Sequence, residues 1–193
     1  AAALQPIFRV AGELFPRFAQ TTWEHAWRSA NAAVVHAVMV ERTDPFAAEL
    51  LSLLWGLAEV VLFRAALERY EKVASGRRLP ADAAVIAGLL DSQSARVASR
   101  IGASWELSAG SLAALAQQVD PAESAAPLSR SLRFGRTVGA LAVLRINGVI
   151  DEATARASLP QSALAGEQLE RMWARIAKEP SPSRDTASAR SRR

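Results

Sequence analysis

Residues 44–74 have the sequence DPFAAELLSLLWGLAEVVLFRAALERYEKVA. Asp44 is a residue type that caps helix N-termini, and Pro45 follows it at the first helical position. Gly76 comes just after the stretch, where glycine commonly ends a helix. Residues 46–66 are apolar on nearly every side, which is typical of a helix enclosed by other helices. The stretch therefore predicts the central helix of an α-helical domain.

The composition agrees with an all-α fold. The chain has 193 residues, half of them hydrophobic, and alanine and leucine dominate. This length is sufficient for one domain with a substantial core. We therefore expect a single-domain bundle of about eight helices. The longest apolar run in the central stretch, Leu50–Ala58, is too short to span a bilayer, and no secretory leader is evident, so we expect no membrane contact.

Cysteine content and charge limit the cellular location and the kinds of partner that we expect for the protein. There is no cysteine, which excludes disulfides and thiolate metal sites and is typical of a reducing, cytoplasmic location. The formal net charge is +4, but residues 179–193 contribute +2 of it, from four arginines against two acids. These residues are mostly Ser, Pro, Arg and Ala and show no apolar periodicity, so we predict a disordered basic tail. The remaining charge is nearly balanced and argues against a nucleic-acid surface.

Apolar periodicity and capping residues predict the other helices. The predicted segments are 2–18, 21–42, 83–90, 92–105, 109–119, 128–147, 151–157 and 163–178. The predicted N-terminal caps are a capping box from Thr21 to Glu24, then Asp91, Ser108 and Asp151. Gly148 is the predicted C-terminal cap of segment 128–147.

Three short patterns occur in a characteristic order. Trp23-Glu24-His25 lies near the start of one predicted helix. The run AELLSLL, residues 48–54, follows the Asp44-Pro45 start of the central helix. Trp105-Glu106-Leu107 follows a helix rich in small residues. This arrangement resembles the HDOD domain, a degenerate relative of the HD phosphohydrolase superfamily that occurs in bacterial signalling proteins.

The resemblance covers residues 15–178 and implies an HD-domain-like bundle within a domain that we place at 1–178. The helices that usually open an HDOD domain are not evident in the sequence. HD hydrolases bind metal through a first His, a His-Asp dyad and a later Asp. By the resemblance, His25 occupies the first position, whereas the dyad falls at Trp55 and Gly56, which cannot bind a metal. Histidines that HDOD proteins often carry fall at Ser94 and near Gln117-Gln118.

The residues themselves also argue against a metal or another cofactor. His25 and His36 are the two histidines of the chain, and eleven residues of one predicted helix separate them. That spacing places them about 16 Å apart along the helix axis. Imidazole nitrogens bind zinc at about 2.1 Å, so these two cannot share an ion. We therefore predict no cofactor and a structural role for both histidines.

Glu59 is the acidic residue whose position most suggests a catalytic role. It lies four residues after Trp55 on a helix that is otherwise apolar there. A buried carboxylate usually has a partner and a shifted pKa. We name His25, Trp55 and Glu59 the relic cleft. Glu59 is a general acid or base of that cleft, or it has a structural role, in which it pairs with an arginine from a neighbouring helix or reaches solvent at the edge of the bundle. The sequence favours the structural role.

A second candidate site is basic. Arg130, Arg133 and Arg136, which we name the arginine face, lie on a predicted helix that contains no acid. They predict either an anionic partner or a solvated face whose counter-charges come from other helices. Phe134 is the single aromatic among them, so stacking on nucleic-acid bases is poorly supported. A nucleotide ligand remains the open alternative.

Two further patterns have structural interpretations. Gly135 and Gly139 lie four residues apart and predict a close crossing of two helices. The five tryptophans all fall at apolar helical positions and are predicted core residues: Trp23, Trp27, Trp55, Trp105 and Trp173. By the resemblance, Trp55 fills the space of the missing metal centre.

From these features we expect no enzymatic activity. The favoured function is a regulatory or protein–protein interaction module of bacterial signal transduction, with other signalling proteins as partners. The alternative is a residual phosphohydrolase or a protein that binds nucleotides, including cyclic ones. A third hypothesis is an adaptor that contacts DNA through its basic tail.

Overall fold

The computed structural model describes residues 17–74, 83–119, 125–161, 164 and 166–178. These residues form seven α-helices, one π-helical turn and no strand. The helices are α1 (Phe18–His36), α2 (Pro45–Ala74), α3 (Ala83–Ser104), α4 (Ala109–Ala116), α5 (Pro127–Ile146), α6 (Glu152–Ala157) and α7 (Gly166–Ile176), and the π-helical turn is Ala37–Glu41. The predicted all-α bundle is confirmed, with seven α-helices in the described residues instead of about eight.

Helix α1 lies between α2 and α5 and has its most extensive contacts with these two helices. Glycines make the close approach possible. A Cβ atom on Gly135 would lie 2.5 Å from the Ser29 carbonyl oxygen, and one on Gly139 would lie 2.3 Å from Ser29 Oγ. On the other side, a Cβ on Gly56 would lie 2.5 Å from Ala26 Cβ. The predicted close crossing at Gly135 and Gly139 is confirmed.

The prediction that α2 is enclosed on every side is wrong in part. Phe46 is 70% exposed and Val61 is 43% exposed, although both are large apolar residues. Among the described elements α2 packs mainly against α1 and α3, so part of its surface has no helical neighbour there. Periodicity shows which residues are apolar, but it does not show how many helices are available to cover them.

The stretch Pro45–Arg69 of α2 is long and apolar enough to cross a membrane, judged by length and composition only. Half of its most apolar window is buried inside the protein, and core helices of soluble proteins pass the same test. The expected absence of membrane contact therefore stays a prediction.

The core has two main parts. One lies among α1, α5, α6 and α7, and the other lies among α2, α3, α4 and α5. The first contains Ala32, Phe134, Val138, Ala142, Ala155, Leu164, Met172, Trp173, Ile176 and Ala177. The second contains Leu51, Leu54, Trp55, Ala58, Ala95, Ala98, Ala114, Leu115 and Leu132. Helix α5 contributes to both parts, which connects the two halves of the bundle.

Several predicted helix ends are confirmed. Asp44, Ser108 and Asp151 each accept a hydrogen bond from a backbone N–H two or three residues further on, at 2.9, 3.2 and 2.7 Å. Gly148 has a φ of 69°, the left-handed conformation that glycine allows after a helix. Helices α4 and α7 are shorter than predicted, and they end at Ala116 and Ile176.

The predicted capping box from Thr21 to Glu24 is wrong. Helix α1 begins one turn earlier, and the Thr21 N–H donates to the Arg17 carbonyl at 2.9 Å inside the helical path. Phe18 stacks on Phe63 of α2 with ring centroids 3.7 Å apart. This tertiary contact accounts for the earlier start of the helix.

The predicted break at Asp91 is also wrong, because α3 is continuous from Ala83 to Ser104. The Ser92 hydroxyl donates to the Gly88 carbonyl at 2.8 Å, one turn back. A serine that bonds to the preceding turn fits inside a helix and does not end it.

Two of the five tryptophans are not core residues. Trp27 is 48% exposed and Trp105 is 52% exposed, which contradicts the prediction for both. Trp55 and Trp173 are buried as expected, and Trp23 is partly buried. Residues 2–16 of the predicted helix 2–18, residues 75–79 of the predicted turn 74–79 and the predicted tail 179–193 lie outside the described residues.

Candidate functional site

The structure brings the three residues of the relic cleft together. His25 on α1 faces Glu59 on α2, with 3.9 Å between His25 Nδ1 and Glu59 Oε2. The Trp55 indole N–H donates to Glu59 Oε1, one turn further along α2, at 2.9 Å. Glu59 is therefore held from both sides, by an indole and by an imidazole.

Helix α5 closes the cleft from a third side. His25 Nε2 lies 3.2 Å from the Arg136 carbonyl oxygen, so an N–H at Nε2 donates to the backbone of α5. The Arg136 guanidinium lies over the Trp55 ring, 3.7 Å from its centroid. Burial lowers the pKa of Arg136, while the negative charges of Glu59 and Asp91 oppose this shift. A cation–π contact and a nearby acid therefore compensate in part for the desolvation of this partly buried positive charge.

The sequence placed Arg136 in the arginine face and not in this cleft. Its true neighbours depend on the crossing of α1 and α5, which Gly135 and Gly139 allow. The available signal was the position of Arg136 directly after Gly135, beside the point of closest approach. The charge of Arg136 nevertheless interacts with that of Glu59, although the ion pair expected by the structural interpretation of this acid is not formed between them.

The cleft is filled where the resemblance would place a metal-binding dyad. Trp55 is only 4% exposed and its ring is covered by Arg136. A side chain at position 56 would collide with Ala26, because α1 and α2 approach closely there. Within the described residues, no group of three or more His, Cys, Asp or Glu side chains could hold a metal ion. The geometry therefore favours a packed polar cluster.

The structure does not keep the arginine face together as one surface. Arg130 forms a two-pronged ion pair with Glu41, with Nε 2.8 Å from Oε1, and it also donates to the Ala125 carbonyl. This pairing lowers the pKa of Glu41, chiefly through the hydrogen bond from Arg130. Arg136 turns instead into the relic cleft. Two of the three arginines thus have counter-charges on other elements.

Arg133 is the exception. Its Nη2 atom is shielded from solvent and has no hydrogen-bond partner in the described part of the chain. Arg133 lines an open groove of about 360 Å³ beside α1, α5 and the π-helical turn. The other lining residues are His36, Val40, Glu41, Arg130, Phe134, Thr137, Pro160 and Gln161. We name this the Arg133 groove.

His36 lies in the wall of the Arg133 groove and not in the relic cleft. It is buried, its Nδ1 lies 3.2 Å from Ser131 Oγ, and its ring stacks on Phe134 at 4.3 Å. Burial lowers the pKa of His36; nearby Glu41 opposes this shift and Arg130 adds to it. These contacts are those of a structural histidine.

The positions where HDOD proteins often carry further histidines have packing roles. Ser94 is buried in α3. The Gln118 side chain donates to the Ser129 carbonyl at 3.0 Å and to Ser129 Oγ at 2.9 Å. Gln117 accepts a hydrogen bond from the Ala126 N–H at 2.9 Å. These side chains connect α4 to the start of α5.

Comparisons of the chain with protein-family models, with curated proteins and with solved structures found no match.

Proposed function

We propose that this protein is a non-catalytic regulatory or protein-interaction module, of the kind that HDOD domains form in bacterial signalling systems. The observation that carries the proposal is the packing of Trp55 at the position of the absent dyad. The buried indole donates to Glu59 and is covered by Arg136, so the polar groups nearest to His25 already bind one another.

The close approach of α1 and α2 at Gly56 supports the same proposal. A ligating side chain at this position would require the two helices to move apart, because Ala26 occupies the space. A metal centre of the HD type needs ligands from both helices, so the packing opposes it at the level of the backbone as well as the side chains.

A hydrolysis assay tests this proposal. The full chain is incubated with nucleoside phosphates and cyclic dinucleotides in the presence of Mn²⁺, Fe²⁺ or Mg²⁺. We expect no turnover above that of buffer with metal. Metal-dependent hydrolysis that His25→Ala abolishes would overturn the proposal.

Nucleotide binding is a second candidate, and the Arg133 groove favours it. Arg133 lines this open groove, and guanidinium groups are suited to binding phosphate oxygens. A thermal-shift screen of nucleotides, including cyclic dinucleotides, tests this candidate. A ligand-induced shift that Arg133→Glu removes and Arg64→Glu retains would support it, since Arg64 is exposed on α2. The absence of a thermal shift with every nucleotide would count against nucleotide binding.

A further inference from the structure

An apolar strip runs along the outer side of α1 toward α7. Trp27, Val34 and Val38 recur at spacings of seven and four residues, which places them on one side of a helix. Beside Val34 and Val38 lies an open groove of about 420 Å³ between α1 and α7. The groove is lined by Asn31, Val34, Val35, Val38, Met39, Gln168, Arg171, Met172, Arg175 and Ile176. We name the strip and this cavity together the α1–α7 groove.

Large apolar side chains remain accessible here. Trp27, Val38 and Met39 are 48%, 50% and 49% exposed. Val38 and Met39 belong to the π-helical turn Ala37–Glu41, a rare element that is frequent at functional sites. From Trp27 to Val38 the strip is about 17 Å long, or three helical turns. Its dimensions match the apolar face of a partner helix.

The rim of the groove is basic. Among the lining residues two carry a positive charge, Arg171 and Arg175, and none is acidic. Among the described residues Arg171 pairs with Glu167 alone, at 2.9 Å, and both side chains are highly exposed. Arg175 donates to the neutral Asn31 Oδ1 at 2.9 Å. Exposed pairs of this kind contribute little to stability, so both guanidinium groups remain available to an acidic partner.

We infer that the α1–α7 groove binds an amphipathic helix of a partner protein, with an apolar face on Val34, Val38 and Met39 and acidic flanks on Arg171 and Arg175. This inference rests on the proposed interaction function and names its surface and its partner chemistry. Trp27, about two turns before Val34, extends this apolar contact, and indole rings are frequent energetic centres of interfaces.

Selection from a displayed library of helical peptides tests the inference. The library carries peptides of about 18 residues, which form five helical turns, with randomised flanking positions. We expect the full chain to enrich peptides with apolar residues at i, i+4 and i+7 and with Glu or Asp beside them. No enrichment, or enrichment of basic or uncharged flanks, would overturn the inference.

Matched variants locate the binding. We expect Val38→Glu to weaken the selected peptides about tenfold or more, because it places a charge in the centre of the groove. Val61→Glu is the control, since Val61 is similarly exposed but lies on α2. Arg171→Glu should weaken acidic peptides and Arg64→Glu should not. Equal affinities for the Val38 and Val61 variants, each shown to be folded by circular dichroism, would place the peptide elsewhere and contradict the inference.

A second copy of the chain is the alternative occupant. If the protein is a dimer in solution and Val38→Glu makes it monomeric, while Val61→Glu leaves it dimeric, the groove is a self-association surface and the inference of an acidic partner helix is overturned. These readouts do not depend on hydrolysis. Catalytic activity would therefore contradict the proposed function without altering the peptide result, and a failed selection would leave the absence of catalysis untouched.

Discussion

The guanidinium carbon of Arg136 lies 3.7 Å from the centroid of the Trp55 ring. The two residues come from α5 and α2, and His25 of α1 contacts the same cluster. Three helices therefore converge on one polar cluster, in which Trp55 donates to Glu59 and Arg136 covers the indole, while Arg136 Nε has no hydrogen-bond partner among the described residues. The cluster joins α1, α2 and α5 and so contributes to the stability of the bundle. The same packing supports the proposal that the protein is not a catalyst.

Removal of the Arg136 charge should destabilise the bundle. In Arg136→Met the stem still covers Trp55, but the cation–π contact and the attraction to Glu59 are lost. A desolvated cation–π contact contributes about 2 kcal/mol, so we expect a loss of about that size in the free energy of unfolding, measured with urea. Arg133→Met on the same helix is the control and should change stability by less than about 0.5 kcal/mol. Equal losses for the two variants would contradict the assigned role of Arg136.

Where glycines of α2 and α5 contact α1, substitution by alanine should destabilise the protein, although alanine normally stabilises a helix. Gly56→Ala and Gly139→Ala should each cost about 1–3 kcal/mol, because the added Cβ would lie 2.5 or 2.3 Å from atoms of α1. Alanine is otherwise the better helix former by about 1 kcal/mol. Gly88→Ala on α3, where no heavy atom lies within 4 Å of the new Cβ, should therefore stabilise the protein. Thermal unfolding of the three variants gives the comparison, and stabilisation at Gly56 would show that α1 and α2 are further apart.

The stability of the protein should fall in mild acid because of His36. Burial lowers the pKa of His36 below its ordinary value of 6.5, so the unfolded chain takes up a proton that the folded chain refuses. The free energy of unfolding therefore decreases as the pH falls from 6.5 to the lowered pKa, by at most about 1.4 kcal/mol per pH unit for one proton. His36→Gln should show a flatter dependence between pH 7 and pH 5 in urea titrations. The same dependence of the free energy of unfolding on pH in both proteins would contradict this prediction. His25 is present in both proteins and therefore does not affect the comparison.

The end of α7 depends on an arginine from α1. Arg28 is buried and donates to the carbonyl oxygens of Ile176 and Lys178, the latter at 3.1 Å. Arg28→Met would leave these carbonyl groups without that donor, at a cost of about 1–3 kcal/mol. Hydrogen exchange should show faster exchange of α7 amides in this variant than in Arg171→Met, whose side chain is exposed. Unchanged protection of α7 would show that its core residues hold it without Arg28.

Local signals in the sequence were sufficient for much of the fold. Ser108, Asp151 and Gly148 act within a few residues of their own positions, so their roles could be predicted without any tertiary knowledge. Thr21 failed as a cap because the stacking of Phe18 on Phe63, between two helices, extends α1 beyond it.

The candidate site was predictable only in part. His25 and Trp55 follow from the resemblance to HDOD domains and Glu59 from its spacing after Trp55, and the structure places the three side chains together. The addition of Arg136 could not be predicted, since it depends on the crossing of α1 and α5. Periodicity predicts Trp27 to be a core residue, whereas it is exposed in the structure. The reason is that periodicity identifies the apolar side of a helix but not whether another helix covers that side.

Metal analysis of the purified protein tests the central claim most directly. The full chain is incubated with Fe²⁺, Mn²⁺ and Zn²⁺, desalted, and measured by inductively coupled plasma mass spectrometry. If Trp55 fills the place of the dyad, the protein should retain far less than one ion per chain, and His25→Ala should not change the result. One or more ions per chain, lost in His25→Ala, would show that the cleft is a metal centre and would contradict the account.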